Sequence, residues 1–178
     1  MALELLLIRH AESEWNASGR WQGHGDPPLS ARGVEQAAEL ARAMEGAAVD
    51  RLLCSDLRRA VQTAQALGAA LKLDPEPTAV LRELNVGRWT GLTGEEIRRS
   101  DGDLLEAFLT EDPTVRPGGP EGETRNELRR RVREAVKKLA AEHPQGRIAL
   151  VVHLGVVRAL VPGSEPDHVE VTVLVEGG

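Results

Sequence analysis

Apolar residues in this chain fall into short unbroken runs, separated by longer stretches in which they recur every three or four positions. The first run, Leu3, Leu5, Leu6, Leu7 and Ile8, reads as a strand buried on both faces. Ser30 then caps a helix whose inward positions are Val34, Ala37, Ala38, Ala41 and Met44. A short strand follows at Arg51–Cys54. Ser55 is expected to cap a second helix, with Leu57, Ala60, Val61, Ala64, Leu67 and Leu71 along one face.

The Asp74-Pro75-Glu76-Pro77 segment breaks the pattern, and Ala79–Leu81 reads as a third short strand. Thr93 with Glu96 and Thr124 with Glu127 have capping-box spacing. The first opens a short helix and the second a long one, with Leu128, Val132, Ala135, Val136 and Leu139 inward and His143-Pro144 as its stop. Residues 112–122, rich in Pro and Gly, form the loop between them. Ile148–Val152 is a β-branched buried strand, Val156–Val161 a short helix, and Val169, Val171, Val173 and Val175 mark one face of a last strand. Strands alternating with helices predict an α/β fold with helices on both faces of a mainly parallel sheet, as a single domain over residues 1–178. There is no internal repeat and no low-complexity tract.

In such sheets ligands bind beyond the carboxyl ends of the strands. At those ends stand Arg9 and His10, Arg58 and Arg59, Glu83, and His153. Two histidines, a carboxylate and arginines at one sheet edge suit phosphoryl transfer. A neutral imidazole can attack phosphorus, and guanidinium groups meet the equatorial oxygens with paired donors. Arg9, Arg59 and a protonated His153 would supply positive charge, and Glu83 would protonate the leaving oxygen.

Composition narrows the partners. With 178 residues, 41% hydrophobic and 28% charged, the chain has the balance of a soluble globular protein. Its net charge of -6 provides no general field for nucleic acid or anionic lipid, so an anionic ligand needs a local cluster of cations. A single cysteine, Cys54, excludes an internal disulfide framework and fits a reducing cytoplasm as a small buried hydrophobe. The first apolar run is too short to span a membrane and lacks a basic leader. No GxGxxG follows a strand, and no GxxxxGK[ST] occurs. His24, His143 and His168 show no metal-ligand spacing and read as surface residues. The Arg129-Arg130-Arg131 run, interspersed with Glu127 and Glu134, reads as a solvated helix face. Trp15, Trp21 and Trp89 suit the pocket wall; Trp15 and Trp89 suit loop packing equally, and Trp21 beside Gln22 is the better candidate for substrate contact.

Five blocks in order give the chain a recognisable resemblance. LLLIRHAESEWN resembles the signature of the histidine phosphatase (phosphoglycerate mutase-like) superfamily through Arg9, His10 and Asn16, with Ala11 in the usual Gly position. GRWQGHGDPPLS is similar to the pocket-lining loop through Gln22, Gly23, Asp26, Pro28, Leu29 and Ser30. SDLRRAVQTA matches the phosphate-contacting block and favours Arg59 over Arg58. LRELNVGRWTG matches the acid block through Glu83, and VVHLGVVRAL the second-histidine block through His153. The resemblance implies a three-layer α/β/α sandwich, a phosphohistidine at His10, no cofactor and no metal. It assigns Asn16, Trp21, Gln22, Gly23 and Leu154 to the substrate pocket. The other branch carries Asp directly after the second His. Leu154 occupies that position here, so the acid falls to Glu83.

Val152 and Leu154 replace small residues common around the second histidine. The segment between Val161 and His168 is also shorter than in most members, a change that would open the pocket or remove a dimer contact. The expected activity is metal-independent hydrolysis of a small phosphomonoester, by a monomer or homodimer that engages neither nucleic acid nor membrane. The alternatives are a cofactor-dependent phosphoglycerate mutase, disfavoured because the pocket loops lack extra basic segments, and a non-catalytic phospholigand- or partner-binding domain.

Overall fold

The computed structural model describes residues 2–176. Strand β1 (Leu3–Arg9) leads through a one-turn helix α1 (Glu14–Ala17) to α2 (Ala31–Ala43), then β2 (Arg51–Ser55) and α3 (Arg58–Leu71). Strand β3 (Glu76–Thr78), two 3-10 turns and the helices α4 (Gly94–Leu109) and α5 (Arg125–Glu142) follow. The chain then runs through β4 (Gly146–Val152), α6 (Leu154–Leu160) and β5 (Val171–Glu176).

The five strands form one sheet in the order β3-β2-β4-β1-β5. All neighbours are parallel except β5, which runs antiparallel to β1. Because successive side chains point to opposite faces, the unbroken apolar run of β1 serves two cores. Leu3, Leu5 and Leu7 pack with Leu150, Val152 and the apolar faces of α4, α5 and α6. Leu6 and Ile8 pack with Leu52, Cys54, Val151 and the small residues of α3. The result is the expected α/β/α layering around a mainly parallel sheet. The pairing of Arg9 with Val152 and of Cys54 with Val151 brings the carboxyl ends of β1, β4 and β2 level at one edge.

The expected helix starts at Ser30, Thr93 and Thr124 are all made by side-chain caps, the latter two as complete capping boxes. Ser55 is different. It closes β2 and accepts from the Leu57 amide, while Leu57 itself begins α3 without a side-chain cap. Ala79–Leu81 is a 3-10 turn, and the edge strand lies just before it, at Glu76–Thr78. Pro77 is tolerated there because only one edge of that strand is paired. The Thr93 helix is long rather than short, with a kink at Asp101, whose carboxylate takes hydrogen bonds from Arg88 and Trp89. Val34 is 56% exposed because α2 turns only its Gly33, Ala37, Leu40 and Ala41 face inward. Val173 and Val175 are also exposed, since β5 is the sheet edge and only Val169 and Val171 reach the α3-side core. Among the described residues no helix is long and apolar enough to cross a membrane.

Cys54 is fully buried in β2, and burial pushes its thiol up to about 12. Ellman's reagent at pH 8 should leave the native protein unmodified and titrate one thiol after unfolding. Rapid native reaction would contradict this placement of β2.

Candidate active site

His10 leaves β1 with its backbone N–H donating to the Val152 carbonyl, 2.9 Å away, which docks the residue on the end of β4. Its ring Nδ1 lies 2.7 Å from the carbonyl oxygen of Ala11. A carbonyl only accepts, so Nδ1 carries the proton and Nε2 keeps its lone pair. Ala11 is held in turn by Thr63 of α3, whose hydroxyl accepts from the Ala11 amide at 3.1 Å. The Ala11 backbone avoids the left-handed region, so the missing glycine costs nothing there. Burial, then Arg59, holds the His10 imidazole well below its usual pKa, so the ring is neutral.

Arg59 sits in the first turn of α3 and is 1% exposed. Its Nη1 donates to the Gly25 carbonyl at 2.7 Å and its Nη2 to the Gly23 carbonyl at 3.0 Å. Burial lowers its pKa to about 10, leaving it cationic. Gly23 has φ +48, and a Cβ there would lie 2.7 Å from Val86 Cγ2. The left-handed backbone and the lack of room beside Val86 favour glycine there, and in that conformation its carbonyl meets Arg59. Arg58, by contrast, is exposed and does not line the cleft. Arg9 Nη1 donates to the Pro166 carbonyl at 2.9 Å.

His153 ends β4 and is completely buried, with its ring centroid 5.1 Å from that of His10. The sequence reading had it protonated. Burial and the adjacent Arg59 push it well below the usual histidine range instead, so the protein alone keeps it neutral. Both His153 ring nitrogens, together with Arg9 Nε and Arg59 Nε, are buried without a protein hydrogen-bond partner. Such orphans are rare among the described residues, and the unpaired N–H groups of the two arginines and of the neutral His153 ring suit an acceptor-rich group.

Glu83 lies in the loop after the first 3-10 turn. Its Oε1 accepts from the Leu84 amide at 2.7 Å and its Oε2 from the Gly155 amide at 3.1 Å. A Cβ on Gly155 would come within 2.2 Å of Oε1, so the carboxylate fits only against glycine. The Glu83 carbonyl is clamped by His24 Nε2 at 2.9 Å and Arg131 Nη2 at 3.4 Å. Arg131 also donates to the Val80 and Arg82 carbonyls and forms a two-pronged ion pair with Glu123. The Arg129-Arg130-Arg131 run is thus a solvated face only at its first two members. His24 and His168 are not surface residues either. Each is half-buried, and His168 Nδ1 bonds the His10 carbonyl at 2.9 Å.

Arg9, His10, Arg59 and Glu83 line a cleft of about 900 Å³ that also contains Asn16, Trp21, Gln22, Gly23 and Leu154, while His153 lies buried beside His10. The Asn16 Oδ1 accepts from Ser13 in the cap of α1, leaving the amide nitrogen as its free donor. Trp21 packs edge-on to Trp89 and Phe108, at 5.5 and 5.8 Å, and forms part of the wall. Trp89 is wholly buried and takes no part in the wall. Trp15 both lines the cleft and packs its ring against Gly25 and Gly91. The shortened segment after α6 still supports the site. Through Pro166 and His168 it braces both Arg9 and His10. The loops bring few cations, but α5 and α6 bring Arg125, Arg129 and Arg158 to the rim. A second groove, near β3 and α5, holds neither His10 nor Glu83.

Residues 5–166 match the family described as histidine phosphatase superfamily (branch 1). Phosphoglycerate mutase-like protein 4 of Arabidopsis thaliana is 34% identical over 92% of this chain and 72% of its own. Phosphoserine phosphatase 1 of Hydrogenobacter thermophilus is 32% identical over 89% and 74%. Among solved structures, a mycobacterial glucosyl-3-phosphoglycerate phosphatase in complex with VO3 superposes with a TM-score of 0.81 at 34% identity, covering 88% of this chain and 79% of that one.

Neutral buried histidines have a consequence for stability. The unfolded chain binds protons near pH 6.5 while folded His10 and His153 do not, so unfolding free energy falls as pH drops below that value. Urea denaturation between pH 7.5 and 5 should show up to about 1.4 kcal/mol lost per pH unit for each histidine. The His10→Asn/His153→Asn double variant should lose most of this slope. An unchanged slope would mean the two rings are not neutral in the native state.

Proposed function

The chain belongs to branch 1 of the histidine phosphatase superfamily and is an enzyme of phosphatase type, and on that premise we propose that it hydrolyses a small phosphomonoester through a phosphohistidine at His10. The observation that carries the reading is the set of buried polar atoms left unpaired on Arg9, Arg59 and His153, together with a neutral His10. A phosphoryl group offers the acceptors those atoms lack, and its charge raises the proton affinity of His153, turning that ring into a further cationic donor when substrate binds.

Substrate phosphate lies against Arg9, Arg59, Asn16 and His153. Nε2 of His10 attacks phosphorus as the ester P–O bond breaks, and the Ala11 carbonyl steadies the positive charge growing on the ring through Nδ1–H. Glu83 in its acid form gives its proton to the departing oxygen. Water then attacks the phosphohistidine, Glu83 takes back a proton, the P–N bond breaks, and inorganic phosphate leaves. The supporting residues hold the cations through neutral carbonyls, so the positive charge stays available for the anion.

Hydrolysis of p-nitrophenyl phosphate should proceed in EDTA, and His10→Ala should lower it by at least about 10³-fold. Undiminished hydrolysis by the variant would sink the proposal. Gly155→Ala should displace Glu83 and reduce kcat by about 10² with little change in thermal unfolding. Wild-type kcat in this variant would remove Glu83 from the reaction.

A further inference from the structure

The ladder between β1 and β5 stops at Ile8 and Val171, one pair short of the end of β1. Beyond it, residues 166–170 run along Arg9 and His10 as a strap. The Pro166 carbonyl accepts from Arg9 Nη1 at 2.9 Å, and the Val169 amide donates to the Arg9 carbonyl at 2.9 Å. The Arg9 amide in turn donates to the Glu170 carbonyl at 3.3 Å. The strap also closes on itself. The Asp167 amide donates to Glu170 Oε2 at 2.7 Å, and the Glu170 amide to the Asp167 carbonyl at 3.2 Å. Val169 has φ +58, a left-handed conformation that a β-branched residue enters only under strain. Its amide bond to Arg9 and its packing against the α3-side core hold it there.

The side chain that this strap gives to the nucleophile is His168. Its Nδ1 donates to the His10 carbonyl at 2.9 Å, and the two ring centroids stand 5.6 Å apart. That carbonyl belongs to the His10–Ala11 peptide unit, whose N–H donates to the Thr63 hydroxyl at 3.1 Å. Helix α3 thus holds one side of the peptide plane and His168 the other. The orientation of that plane sets where the Ala11 carbonyl lies, and this carbonyl takes the Nδ1–H of the His10 ring at 2.7 Å. Burial holds His168 below its usual pKa, opposed by the bond to His10, so the ring acts as a neutral donor. Without it the plane keeps a single side-chain anchor.

We propose that His168 is a positioning residue for the nucleophile: by fixing the His10–Ala11 peptide plane it sets the aim and the tautomer of the His10 ring. This rests on the phosphohistidine reading of His10 and adds a residue that does not itself line the cleft. The strap reaches Arg9 only through its own backbone atoms. A side-chain change at position 168 therefore loosens His10 and leaves the phosphate-binding arginine in place. The signature of the role is a fall in kcat at nearly constant KM.

The test follows p-nitrophenyl phosphate hydrolysis in EDTA by His168→Leu and His168→Asn. Leucine removes the donor and should lower kcat by about tenfold, with KM changed by less than about twofold. Asparagine keeps an N–H near the Nδ1 position and should recover most of kcat. His168→Ala serves for the same comparison if thermal unfolding shows that leucine disturbs the fold. Wild-type kcat without the donor, a loss carried by KM alone, or an asparagine variant as slow as leucine would overturn the proposal and leave the phosphatase reading standing. If the wild type hydrolyses no phosphomonoester, the phosphatase reading falls, and long-range proton–nitrogen NMR of the His10 ring decides the positioning. An Nδ1–H tautomer in wild type and asparagine variant, averaged with the other tautomer in the leucine variant, supports it. The same fixed tautomer in all three refutes it.

Discussion

The burial of positive and proton-ready groups without counter-charges is the constraint on which this molecule depends. Arg59 and the His10 and His153 rings are removed from water at the level carboxyl ends of three strands. Such desolvation is unfavourable in the absence of an anion. The protein meets that cost by keeping the histidines neutral and by giving each arginine a partner that carries no net charge. Gly23 and Gly25 hold Arg59 through carbonyls, and Pro166 holds Arg9 in the same way.

Elsewhere the chain treats arginine differently. Arg51, Arg82, Arg88, Arg116, Arg131 and Arg147 all pair with carboxylates, and their charges are spent locally. The contrast sets these arginines apart from Arg9 and Arg59, whose partners are neutral carbonyls. Glu83 follows the complementary rule: backbone amides, not a cation, fix its oxygens. The acid and the cations are thus placed near one another without neutralising each other. Arg131 and His24 secure the loop from behind through its carbonyl groups, which couples α5 to the position of the acid.

The strands that deliver the site were legible because an apolar run with both faces buried has few other readings, and each of Arg9, His10 and His153 stands where such a run stops. Edge elements were harder. Pro77 disguises β3, whose neighbour on one side is solvent, and the alternation of Val173 and Val175 marks a face that no helix covers. Arg131 was hidden inside a run of like charges, yet its place three residues after Leu128 and four before Ala135 sets it on the inward stripe of α5. Arg125, three before Leu128, carries the same signal. His168 had none, because its contact with His10 joins residues 158 apart in the chain. Gly155 was legible only as a glycine. Its reason, the Glu83 oxygen pressed against it, exists only in three dimensions.

The account's central claim is that Nε2 of a neutral His10 accepts the phosphoryl group while Nδ1 stays bonded to Ala11. Phosphorus NMR and mass spectrometry of enzyme quenched in base during turnover of a phosphomonoester address it directly. The account predicts one phosphoryl group on His10, attached at Nε2. Phosphate on another residue, on Nδ1 of His10, or on no protein atom at any time during turnover would contradict it.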